Sequence, residues 1–244
     1  MTGAGRGIGR AIALQLAGAG TSVALVARSR HELEETAIHV KELGVTSLVV
    51  PADLGDLSEV TRVARHASDK LGEVDVLVNN AAVVSPIGPS VAVDSEQWAT
   101  AIAVNVVAAA ILTFALLPSM LDRSWGRIVN VSSAIAGRPG AMAGMNAYAA
   151  SKAALEAHTI NLAAELAGSG VTVNAFRPGS VDTAMQRWIR GQDPRRIGTE
   201  LHEWFTRSYT EGSMITPEQS AKSLLPHLFG DATGAIWDAS DLQT

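Results

Sequence analysis

Short apolar runs alternate with longer stretches of mixed polarity along the whole chain. Residues 22–27, 47–50, 74–78, 126–131, 171–176 and 234–237 are rich in Val, Leu, Ile and Ala and bounded by Gly or polar residues. Such runs read as strands buried on both faces of a parallel sheet. Helical stretches lie between them, at 10–19, 31–43, 56–71, about 95–121 and 146–168. A last helix is expected to start at Thr216, a capping residue followed by Pro217, and to run to about Phe229. Gly44 and Gly72 stand where two helices should stop. This alternation predicts an α/β fold in one domain, a doubly wound parallel sheet with helices on both faces. Ligands in such sheets bind at the carboxyl ends of strands, where Gly3–Gly9, Arg28, Asp53 and Asn79 all fall. Residues 184–215 break the pattern. They carry Trp188, Trp204 and Phe205 without clean periodicity and read as a mobile substrate lid, its aromatics lining an apolar pocket or simply packing.

Composition narrows the function. A 47% hydrophobic content supplies a sizeable core, and a net charge of −5 with no basic run argues against a nucleic-acid partner. With no Cys there is neither a disulfide nor a thiolate, which fits a cytoplasmic protein. The six His are scattered without ligand spacing, so no metal site is expected. The apolar run 99–117 is long enough to suggest a membrane span. Asn105 lies near its middle, and Asp94-Ser95-Glu96-Gln97 before it resembles a capping box. We read it as a helix buried between the sheet and a neighbouring subunit, with no membrane partner.

Two clusters carry candidate chemistry. Residues 2–9 read Thr-Gly-Ala-Gly-Arg-Gly-Ile-Gly and precede a helix. The glycines Gly3, Gly7 and Gly9, with Arg6 and Ile8 between them, suit a tight turn that presents helix amides to a phosphate. Arg28 stands where NAD-binding proteins place a ribose-binding acidic residue, and its guanidinium suits a 2′-phosphate. That favours NADP over NAD, unless Arg28 and Arg30 are only solvated charges opening a helix. The second cluster is Tyr148-Ala-Ala-Ser-Lys152. Residues four apart share a helix face, so the Lys152 ammonium should lie beside the Tyr148 phenol and lower its pKa toward neutrality. The pair would then serve as a general acid/base.

Taken in order, Thr2-Gly3-x-x-x-Gly7-x-Gly9, Asp53-Leu54, Asn79-Asn80-Ala81-Ala82, Asn105, Val131-Ser132-Ser133, Tyr148-x-x-x-Lys152 and Pro178-Gly179 resemble the short-chain dehydrogenase/reductase family over essentially the whole chain. The resemblance implies a seven-stranded Rossmann sheet. It implies Tyr148 as acid/base, Lys152 as a holder of the nicotinamide ribose, Ser133 as the group positioning the substrate oxygen, and Asn105 as the holder of a water in a proton relay. Asp53 and Leu54 would border the adenine, Asn79 would line the cofactor cleft, and Pro178, Gly179, Val181 and Thr183 would flank the nicotinamide, with Thr183 at its carboxamide. The implied reaction is hydride transfer between NADP(H) and a small-molecule carbonyl or secondary alcohol, in a homodimer or homotetramer.

Two departures from the family pattern matter. The chain reaches its Gly turn after Met1 alone, where the family has a full central strand. An upstream start and an impaired product are the two expectations that this raises. Ser133 also lies fifteen residues before Tyr148, more than is usual, which leaves Ser132 as an alternative. Strand alternation favours Ser133. A non-catalytic dinucleotide sensor or scaffold is the second functional reading. A serine hydrolase lacks its G-x-S-x-G elbow here.

Overall fold

The structure, a computed structural model, describes residues 1–239. Six parallel strands are found among them: β1 (Val23–Ala27), β2 (Ser47–Pro51), β3 (Val76–Asn79), β4 (Gly126–Val131), β5 (Val171–Arg177) and β6 (Ile236–Asp238). Each lies within a residue or two of its predicted run. The helices are α1 (Gly7–Gly18), α2 (Arg30–Glu42), α3 (Leu57–Leu71), α4 (Ser95–Ile102), α5 (Ala108–Asp122), α6 (Asn146–Glu165), α7 (Ala184–Arg190), α8 (Pro194–Ile197), α9 (Thr199–Thr210) and α10 (Pro217–Leu228).

Strand alternation sorts the apolar side chains to two faces. Val23, Leu25, Val78, Val129 and Phe176 pack with Ile12, Leu33, Val40 and Leu224, which belong to α1, α2 and α10. Val26, Leu77, Ile128 and Val173 face the other way, onto Val60, Val63, Leu112 and Leu162 of α3, α5 and α6. Helices therefore cover both faces, as the pattern of short apolar runs requires.

The expected seven-stranded sheet is not continuous. The strands form a pair, β1-β2, and a separate set in the order β3-β4-β5-β6. Only Met1 and Thr2 run between β1 and β3. Thr2 forms a parallel bridge with Val26, and its N–H donates to the Val78 carbonyl at 3.1 Å. Two residues reach only about 7 Å, so the rest of the space between the strands is a cavity of about 380 Å³, lined by Ala24, Val26, Val76, Val78 and Leu116 among others. The Met1 amine donates to the Ala24 carbonyl at 3.0 Å there, and burial pushes its pKa down to about 5.

Two further expectations change. The single helix predicted over 95–121 is interrupted by a wide π turn at Ala103–Val107, and Asn105 is buried inside it. Such turns concentrate at functional sites. The run Ser95–Asp122 is long and apolar enough by composition to cross a membrane, and 44% of its most apolar window is buried within the chain. The lid is largely helical, as α7, α8 and α9. Ile189, Ile197, Leu201 and Phe205 from these helices bury against Val84, Ile135, Met145 and Ala149, with Tyr148 and Met185 at the margin. Phe205 is thus a packing residue, while Trp188 and Trp204 remain exposed.

Candidate active site

The Gly turn sits on the carboxyl end of β1, where the Ala4 N–H donates to the Val26 carbonyl at 3.1 Å. Gly3 has a φ of +64°, a region that costs a side-chain-bearing residue energy. A Cβ at Gly9 would collide with the Gly3 carbonyl, and would stand 2.5 Å from Asn80 Nδ2. The turn therefore closes only with glycine at both positions. Ile8, between Gly7 and Gly9, packs its side chain onto the core. No side chain caps α1, and no acidic residue lies in its first turn. The α1 amides and dipole are thus available to a phosphate. Across the turn, the Thr183 methyl lies 3.4 Å from where a Cβ on Gly7 would stand. Thr183 caps α7 by accepting from Gln186 N–H.

Arg28 is exposed at the end of β1 and makes no hydrogen bond or ion pair among the described residues. Arg6 differs, because its Nη1 reaches Glu32 Oε1 at 3.1 Å. Asp53 is exposed at the end of β2, with one carboxylate oxygen accepting the Gly55 N–H at 2.9 Å. Leu54 is buried in the core with Val60 and Val63, so only its backbone is free to border a ligand.

Asn79 corrects the expectation that it lines the cleft. It is 5% exposed, and its Nδ2 donates to Asn130 Oδ1 at 2.9 Å between β3 and β4. Strand alternation turns the following residue outward instead. Asn80 Nδ2 donates to the Thr2 carbonyl at 3.1 Å, and the Asn80 N–H donates to Thr2 Oγ1 at 2.9 Å. Asn80 therefore braces the Gly turn, a role that counting strand phase from Val78 would have revealed.

Around Tyr148 the elements converge as the helix spacing requires. Ser133, just beyond β4, lies close enough to the Tyr148 phenol to favour its ionised form. Ser132 points away and donates to Glu156 Oε1 at 2.7 Å, so Ser133 is the serine on this site. Lys152 is 2% exposed. Its Nζ donates to the Val131 carbonyl at 2.7 Å, which leaves donors for a second partner, and lies 5.7 Å from the Tyr148 ring centre.

The expected lowering of the Tyr148 pKa does not occur in the chain by itself. Burial dominates and pushes it up to about 12, with the Ser133 hydrogen bond working the other way. Burial also lowers Lys152 to about 8, opposed by the neighbouring Glu156 carboxylate. The Asn105 side chain makes three hydrogen bonds within the protein. Its Oδ1 accepts the Val83 N–H at 2.8 Å, and its Nδ2 donates to the Val83 carbonyl at 2.8 Å and Ser151 Oγ at 2.9 Å. It fixes the loop after β3 against α6. On the remaining side, the Pro178 carbonyl accepts from Ser220 Oγ at 2.8 Å, Gly179 has a φ of +80°, and Val181 is buried in a bridge to Ile215.

The family model for short chain dehydrogenases matches residues 1–194. The chain belongs to the short-chain dehydrogenase family. This short-chain dehydrogenase is 38% identical to a short chain dehydrogenase of Pseudocercospora fijiensis, over 76% of the chain but only 60% of the relative. It is 36% identical to the 3-oxoacyl-(acyl-carrier-protein) reductase FabG of Pseudomonas aeruginosa, over 77% of the chain and 74% of that protein. A putative NAD(P) dependent gluconate 5-dehydrogenase from Beutenbergia cavernae with bound NADP superposes with a TM-score of 0.83 at 34% identity, covering 98% of this short-chain dehydrogenase and 92% of that chain. The residues that meet a nicotinamide dinucleotide in such a site have the chemistry for one here: a glycine cradle closed to any side chain, uncapped α1 amides, and a buried ammonium with donors to spare.

Proposed function

We propose that this short-chain dehydrogenase exchanges a hydride between NADP(H) and a small-molecule carbonyl or secondary alcohol, with Tyr148 as general acid/base. The observation that carries the reading is the buried Lys152 ammonium, held by the Val131 carbonyl at 2.7 Å and 5.7 Å from the Tyr148 ring centre, with Ser133 acting on the same phenol. The nicotinamide supplies or accepts the hydride when bound. The rest falls to the protein. Ser133 holds the substrate oxygen. Tyr148, still protonated near neutral pH, gives that oxygen its proton in the reducing direction. Lys152 offers its remaining donors to the cofactor ribose, and its charge favours the phenolate that proton transfer leaves behind. Arg28 takes the 2′-phosphate, which supports NADP over NAD.

The pKa directions give a pH dependence. Tyr148 keeps its proton until about pH 12, whereas Lys152 loses its charge above about pH 8. Reduction needs both groups protonated. The profile of kcat/KM for ketone reduction is therefore expected to be flat on the acid side of about pH 8 and to fall above it. A profile still rising between pH 8 and 10 would contradict this assignment.

We further propose that the cytoplasmic form is a homodimer or homotetramer built through α5 and α6. Phe114 is 57% and Ile160 47% exposed on these helices, and Phe114 packs edge-on against His158. Phe114→Glu is expected to shift the sedimenting species toward monomer. A wild-type chain that sediments as a stable monomer would refute the assembly.

A further inference from the structure

Glu156 stands one turn beyond Lys152 on α6, so Tyr148, Lys152 and Glu156 follow one another down a single face. It is 7% exposed, and an anion that deep needs partners. It has three bonds. Ser132 Oγ donates to Oε1 at 2.7 Å, Arg177 Nε donates to Oε1 at 2.8 Å, and Arg177 Nη2 donates to Oε2 at 2.8 Å. Arg177 ends β5, and the Asp238 carboxylate at the end of β6 adds its own attraction. Three consecutive residues at the end of β4 are thereby tied to α6. The Val131 carbonyl holds Lys152, the Ser132 hydroxyl holds Glu156, and the Ser133 hydroxyl meets Tyr148.

We propose that Glu156 is a positioning residue of this active site: held by Arg177, it anchors Ser132 and so sets where Ser133 and Lys152 meet Tyr148. The inference rests on the acid/base role given to Tyr148 above. Ser132 is the middle link, and a shift there moves both of its neighbours along the strand. Catalytic groups misplaced by about 1 Å cost catalysis heavily. Glu156 also acts directly on Lys152. The groups facing that ammonium are Tyr148 and Glu156 from its own helix, the Val131 carbonyl from β4, and Arg177 from β5 beyond Glu156, with Asp238 of β6 behind Arg177. Glu156 is the nearest anion, and it keeps the ammonium charged against the pull of burial.

A bland alternative is that Glu156 and Arg177 form a buried pair that only stabilises the fold. Two variants separate the alternatives. Glu156→Gln leaves Arg177 short of its partner, while Glu156→Gln combined with Arg177→Gln removes both charges together. The single variant is expected to lose about tenfold or more in kcat. Its basic limb should move down by roughly one pH unit, with the KM for the carbonyl substrate little changed. The double variant should regain melting temperature without regaining kcat or the wild-type limb, and it carries the test alone if the single variant does not fold. Unchanged kcat and limb in the single variant, or recovery of both in the double variant, would overturn the proposal. The Lys152 ammonium can also be titrated by NMR, since Lys41, Lys70 and Lys222 are the only other lysines. That titration needs no turnover. It should move down in Glu156→Gln even if Tyr148→Phe proves active and the acid/base reading falls. An unmoved titration would count against Glu156 itself.

Discussion

Tyr148→Phe is expected to lower turnover by about 10²–10⁴-fold while NADPH binds nearly as before. The substitution removes one oxygen. The ring keeps its place at the margin of the Val84–Ile135–Met145 cluster, so the local packing survives. Loss of one hydroxyl's hydrogen bonding costs about 1 kcal/mol of stability, too little to unfold the chain. What disappears is the acidic hydroxyl proposed to give the substrate oxygen its proton. No Cys exists to replace it. Steady-state kinetics together with nucleotide fluorescence titration check both halves. Normal turnover in the variant would remove Tyr148 from the mechanism.

The second large effect concerns the cofactor. Arg28→Ala should weaken NADPH by about 1.5–3 kcal/mol, or roughly tenfold to a hundredfold, and leave NADH unchanged. Arg28→Asp should reverse the preference, because a carboxylate repels the 2′-phosphate and accepts from a free ribose hydroxyl. Arg6 is poorly placed to compensate while Glu32 occupies it at 3.1 Å. Side-by-side titration with the two nucleotides is the check. Equal losses for both would mean that Arg28 supports the turn rather than reading the phosphate.

Much of this site was legible because helix and strand periods carry spatial information. The i,i+4 rule placed Lys152 beside Tyr148, and strand alternation chose Ser133 over Ser132. The same two rules, pressed further, would have found Asn80 and Glu156. Asn80 follows from the phase of β3, and Glu156 is simply the next step of the series 148, 152, 156. Other features leave no such trace. The π turn around Asn105 depends on tertiary contacts with Val83 and Ser151, which no local pattern records. The Tyr148 pKa was read from a neighbouring charge, but the structure makes burial the larger effect, and burial is a property of the assembled fold. The lid has helices too short to show a clear period, the shortest being Pro194–Ile197, and Phe205 proved to be core because α9 folds back onto the Tyr148 region.

The central claim is that this site moves a hydride and a proton, and isotope transfer tests it most directly. The wild-type chain would be incubated with NADPH carrying deuterium at both nicotinamide C4 positions and a panel of aliphatic, aromatic and acyl ketones, and the products analysed by mass spectrometry. The account predicts deuterium on the carbinol carbon of at least one product, and label formed at least about a hundredfold more slowly by Tyr148→Phe. Tight NADPH binding with no label in any product would contradict it.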